Sequence, residues 1–161
     1  MAGRTHILAA AALVALGGCA TTHAATAGTA TACDSSPEAN RQVVLAFYRE
    51  GLVGLQPRAA FERYASPGFV EHKPDVPEGT RAAAAAYLEQ LIRAVPQPRW
   101  EILRTVAEGD LVFLHASFTP APGAPAYAIA DVFRLENCKI AEHWDVVAPP
   151  PKDQRNPNPR F

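Results

Sequence analysis

Three residues near the end of the chain, Asp131, His143 and Asp145, set two carboxylates and an imidazole on neighbouring β-rich runs. Such a set suits proton transfer next to a carbonyl. A carboxylate in apolar surroundings is a stronger base than in water, and a nearby donor can stabilise the enolate oxygen. Asp145 is the expected base. His143, two residues away on the same strand face, is expected to orient a substrate or donate a proton, with Asp131 fixing its tautomer. His72 and His115 are further candidate donors to a substrate, and Tyr87 and Trp144 candidate cavity walls. Plainer readings exist beside these: Asp131 and His143 as a satisfied polar pair within a hairpin, His115 and Trp144 as core, His72 as a strand end.

Two other chemistries compete. Three histidines and two aspartates could supply a two-histidine, one-carboxylate metal site, but no tight ligand motif such as His-Glu-x-x-His occurs. Nucleophilic catalysis lacks a Gly-x-Ser-x-Gly elbow. Neither chemistry is expected, and no cofactor.

The acids depend on one turn. Tyr127 to Leu135 and Lys139 to Val147 flank Glu136-Asn137-Cys138, a hairpin pattern. Ile129, Phe133 and Leu135 share a face with Asp131, and a carboxylate on an apolar face tends to mark a site. A three-residue loop pairs Leu135 with Lys139, sets Asp131 opposite His143 and leaves Asp145 diagonal on the same face. A two-residue loop puts Trp144 opposite Asp131 and turns Asp145 away. The three-residue loop is the expected one.

The elements before the hairpin follow in order. Ser36-Pro37-Glu38 reads as a helix start, and the helix ends near Gly54 with Val44, Phe47, Tyr48 and Gly51 on its apolar stripe. Gln56 to Ala65 is a second, short helix, broken by Ser66-Pro67-Gly68. Phe69 to His72 is a short strand closed by Lys73-Pro74. Thr80 caps a third helix through Val95. Arg99 to Ala107 and Leu111 to Thr119 are strands around Glu108-Gly109-Asp110. Three helices and one short strand, then four long antiparallel strands, predict an α+β fold with helices on one face of a curved sheet.

Composition narrows the partners. The 15 Lys+Arg nearly balance the 16 Asp+Glu, so no basic excess exists to neutralise phosphates and nucleic acid is not an expected partner. The start reads as a targeting segment: Arg4, then an apolar run from Ile7 to Leu16 too short for an ordinary membrane span. Leu16-Gly17-Gly18-Cys19 resembles a bacterial lipobox, which implies cleavage before Cys19 and a lipid anchor there. Ordinary cleavage near His23-Ala24-Ala25 is the alternative. The expected organisation is a signal peptide over 1–18, a flexible tether over 19–35, a domain over 36–148 and a proline-rich tail over 149–161. Either cleavage implies export, to the cell envelope facing the periplasm. There, Cys33 and Cys138 would bridge or remain as two free thiols. Cys138 occupies a turn position that favours glycine, at a cost of about 1 kcal/mol.

The order of elements over Asn40 to Val147 resembles the SnoaL-like branch, the polyketide-cyclase relatives, of the NTF2-like superfamily. The residues that carry the resemblance are Phe69 to His72, Ala107 to His115, Asp131 to Asn137 and Lys139 to Val146; the closing Asn-Pro-Asn-Pro-Arg-Phe is similar to endings in this branch. The resemblance implies an NTF2-like cone with a deep pocket for a small molecule between sheet and helices, no metal, and often a homodimer. It implies that Asp145 stands at the acid/base position of the cyclases' aldol closure. Asp131 falls where the cyclases carry a histidine, and Cys138 where they carry glycine. The activity implied is an aldol-type or isomerase-type proton transfer; a non-catalytic lipoprotein that binds a small apolar ligand is the alternative.

Overall fold

The computed structural model describes residues 33–161. The expected signal peptide, Cys19 and most of the expected tether lie outside the described residues. Among those described, no helix is long and apolar enough to cross a membrane.

Helix α1 spans Pro37–Tyr48 and opens as the sequence predicts, with Ser36 Oγ accepting from the Ala39 amide and Pro37 in the first turn. It continues as a π-helical turn over Arg49–Val53. There Gly51 lets α2 approach, since a Cβ at Gly51 would sit 3.0 Å from that of Ala60. Helix α2 is Pro57–Tyr64 and α3 is Arg81–Ala94, capped by Thr80.

The strands are β1 (Ala65–Glu71), β2 (Arg99–Glu108), β3 (Leu111–Thr119), β4 (Tyr127–Glu136) and β5 (Lys139–Ala148), in the sheet order β1-β5-β4-β3-β2. The last four are antiparallel, and β1 runs parallel to β5. Strand β1 starts earlier than the predicted Phe69 to His72. Ser66-Pro67-Gly68 does not break the chain into a loop but sits inside β1, where the pairing to β5 skips. Helices cover one face of the sheet, and Val44, Phe47, Phe61, Phe69, Leu114 and Phe133 pack between the layers. The tail returns to the sheet: the Arg160 guanidinium donates to the carbonyls of Ala126 and Ala148.

The β4–β5 turn differs from the favoured reading. Glu136 pairs with Lys139, so the loop has two residues, and Asn137 and Cys138 both take positive φ, 51° and 59°. That is the primed turn that matches strand twist. Taken alone it would turn Asp145 outward. A bulge corrects the face: Leu135 pairs with Ile140 but Arg134 pairs with Glu142, leaving Ala141 as the extra residue. Ile140 and Ala141 are accordingly buried in succession. Asp131, His143 and Asp145 therefore share the inner face, but Asp131 lies directly opposite Asp145, not His143, which faces Phe133. Cys138 is joined by a disulfide to Cys33, Cα to Cα 6.1 Å, tying the start of the described chain to this turn.

Candidate active site

A cavity of about 420 Å³ lies between α1, α3 and the inner face of the sheet. Its walls are aromatic and aliphatic, with Phe47, Phe61, Trp100, Phe118 and Phe133 among them. Its polar residues come from the end of β1, the segment after it, and the β4–β5 pair: Glu71, Lys73, Asp75, Asp131, His143 and Asp145, with Tyr48 and Tyr87.

His143 is held from both sides. Its Nδ1 is 2.9 Å from each Glu71 carboxylate oxygen, its Nε2 is 3.2 Å from Asp131 Oδ1, and its ring stacks on Phe133 at 4.7 Å. Burial by itself would drive the proton off. The bonds to Asp131 and Glu71 outweigh it and push the histidine up to about 10. His143 is thus an imidazolium at neutral pH, donating from both nitrogens. Asp131, only 4% exposed, has its carboxyl pushed up, chiefly by burial and further by the charge of Asp145; the bond to His143 opposes this. Its Oδ2 and the Tyr48 hydroxyl are both buried with no hydrogen-bond partner among the described residues. Burial and the nearby Asp131 charge push the Tyr48 phenol well up.

The second unit is an ion pair, Lys73 Nζ to Asp145 Oδ2 at 2.8 Å, with Asp75 Oδ2 3.7 Å from the same ammonium. Burial lowers the lysine's proton affinity, but the bond to Asp145 prevails and the net direction is up. Glu71 links the two units, because its Oε1 also accepts from the Lys73 amide at 2.9 Å.

Of the residues singled out from the sequence, the structure brings together Asp131, His143, Asp145 and Tyr87. It does not bring in His72, His115 or Trp144. Alternation is the reason. His72 stacks on Trp144 at 4.4 Å on the outer face of the sheet and bonds Glu142 at 2.9 Å. His115 points outward between buried Leu114 and Ala116, with Nδ1 2.9 Å from Arg104. Asp131 sits at His143 Nε2 and Glu71 at Nδ1, so two carboxylates rather than one fix the ring. Glu71, Lys73 and Tyr48 are the residues sequence reasoning missed. Glu71 was findable: it is two residues from buried Phe69, so a period of two points it inward and His72 outward.

Helices on one face of a curved five-stranded sheet, with a hollow between them, define the NTF2-like class of α+β domain. Within that class the chain belongs to the SnoaL-like domain family, whose model matches residues 44–143. Solved structures agree on the fold. A candidate polyketide cyclase from Acidithiobacillus ferrooxidans is 22% identical, covering 71% of this chain and 91% of its own, with a TM-score of 0.57. A candidate SnoaL-like polyketide cyclase from Jannaschia is 21% identical over 71% and 90%, TM-score 0.59. AclR, a candidate hydroxylase from Streptomyces galilaeus, is 20% identical over 70% and 81%, TM-score 0.59. No protein of curated function matches the chain.

Proposed function

We propose that this protein is an exported, cofactor-independent acid/base catalyst that moves a proton on a small carbonyl compound held in the apolar cavity. The observation that carries the reading is the Lys73–Asp145 pair, a base and a cation 2.8 Å apart within a largely apolar chamber. A substrate carbonyl oxygen that takes over the Lys73 hydrogen bond frees the Asp145 carboxylate to accept a proton from the adjacent carbon. The ammonium then faces the oxygen on which negative charge develops. His143 and Glu71 touch no reacting atom in this scheme; they hold Asp131 in place across from the base. Aldol closure and double-bond isomerisation both begin with this step, and the candidate cyclases among the structural neighbours support the aldol form.

The test is Asp145→Asn against a panel of small apolar aldehydes and ketones. Turnover should fall by about 10²–10⁴-fold, the usual contribution of a general base, while the melting temperature holds. Undiminished turnover would remove Asp145 from the chemistry. One observation favours a non-catalytic ligand-binding lipoprotein instead: every buried acid of the site is already engaged, Glu71 and Asp131 with His143, Asp145 with Lys73. That reading holds if the panel binds and nothing turns over.

The same proposal places the protein in the cell envelope, anchored through a lipid on Cys19. The leader composition and the Cys33–Cys138 bridge support this, and the mass of the amino-terminal peptide from native membranes tests it. A homodimer is also part of the reading, supported by the exposed outer-face residues Val106, Phe113 and Val146. Light scattering tests it.

A further inference from the structure

Lysine is scarce in this chain. Of its 15 Lys+Arg only Lys73, Lys139 and Lys152 are lysines. Two of them face solvent, Lys139 with its ammonium on the Arg63 carbonyl and Lys152 in the tail. The third, Lys73, lines the cavity with its side chain 17% exposed. Arginine would serve an ion pair with Asp145 as well or better. What lysine adds is an amine that can give up its proton and form a bond to carbon.

We propose that Lys73 captures the carbonyl ligand covalently, as an imine, with Asp145 as its proton partner. The inference rests on reading the cavity as a carbonyl site, and it adds a covalent step to that reading. The geometry supplies what the step needs. An amine held as its ammonium requires an adjacent base, and Asp145 lies at hydrogen-bond distance. A ligand that fills the chamber displaces water from the pair, and poor solvation favours the neutral amine and carboxylic acid over two charges.

The step balances as follows. The Lys73 ammonium passes one proton to Asp145, and the freed nitrogen lone pair forms a C–N bond as the carbonyl π bond breaks onto oxygen. A second nitrogen proton moves to that oxygen, giving a carbinolamine. Asp145 returns its proton to the hydroxyl, the C–O bond breaks, and water leaves. The product is an iminium on Lys73 beside a restored carboxylate. That carboxylate is then placed to take the proton from the adjacent carbon and leave an enamine.

The experiment is reductive trapping on the full chain with its disulfide intact. The protein is incubated with 3-phenylpropanal, an apolar aldehyde with exchangeable protons next to the carbonyl. Borohydride is added, and the alkylated lysines are located by peptide mass spectrometry. Lys139 and Lys152 are internal controls. Lys73 is expected to carry at least about tenfold more adduct than Lys152, since confinement raises the effective concentration of the aldehyde at the amine. Equal labelling of the three lysines, or an unlabelled Lys73, overturns the covalent step. Lys73→Arg keeps the charge and removes the amine, so the label at position 73 should vanish and turnover fall. If that variant turns over as well as the parent while Asp145→Asn does not, the imine is wrong and the acid/base reading stands alone. If Lys73 is labelled but Asp145→Asn still turns the panel over, capture is real and the acid/base assignment is what fails.

Discussion

Two histidine–carboxylate pairs sit back to back, each with one member on β5. On the inner face His143 bonds Asp131 and stacks on Phe133; on the outer face His72 bonds Glu142 and stacks on Trp144. The contacts are nearly alike, yet the acids titrate in opposite directions. Glu142 is held below the usual carboxylate range by its bonds to His72 and Arg134. Asp131 is pushed above it by burial, despite an imidazolium at 3.2 Å. Water decides the sign. Where solvent pays the cost of charge, a cation nearby makes an acid stronger; where solvent is absent, that cation only limits the damage. The inner pair lines the cavity and the outer pair lies on the far face of the sheet.

Replacing each histidine tests this contrast most severely. His143→Leu leaves Glu71 and Asp131 buried without their cation and should cost about 3–5 kcal/mol, the penalty for breaking a buried pair. His72→Leu should cost less than about 1 kcal/mol, as exposed pairs do. Urea melts compare them, and equal losses would abolish the distinction between the faces.

A smaller effect appears with pH. His143 binds its proton more tightly folded, at about 10, than the ordinary 6.5 of the unfolded chain. Its contribution to stability is therefore complete below about pH 6.5 and is lost as pH rises through about 10. Stability from this group should fall across that window. Denaturant midpoints at stepped pH report the loss, and imidazole chemical shifts report the titration. A ring that titrates near 6.5 would show that the two carboxylates do not hold it.

The smallest change is expected at Glu142→Gln. It should barely move the urea midpoint and leave any turnover of the aldehyde panel untouched. A loss of turnover there would mean the outer face reports to the cavity.

Much of the fold was legible because its signals are local. Ser36-Pro37, Thr80 and the glycine at 109 mark element ends with side chains and backbone angles read one residue at a time. The site was legible in part. Asp131, His143 and Asp145 were placed on the right face, but through two departures that cancel: the turn is one residue shorter than expected, and the bulge at Ala141 restores the count. A bulge has no residue signature of the strength of a proline or a cap, so nothing in Lys139-Ile140-Ala141-Glu142 announced it. The period of two turns Glu71 inward, but its meeting with His143, and that of Lys73 with Asp145, depends on β1 lying parallel beside β5, a pairing across 72 positions that periodicity within one strand does not reach.

Ala141 has a further consequence for how this domain can change. Every residue of β5 beyond it owes its facing to that single inserted alanine. Loss of one codon there would reverse the phase of the strand, sending Glu142 and Trp144 into the hollow and His143 and Asp145 out to the other face.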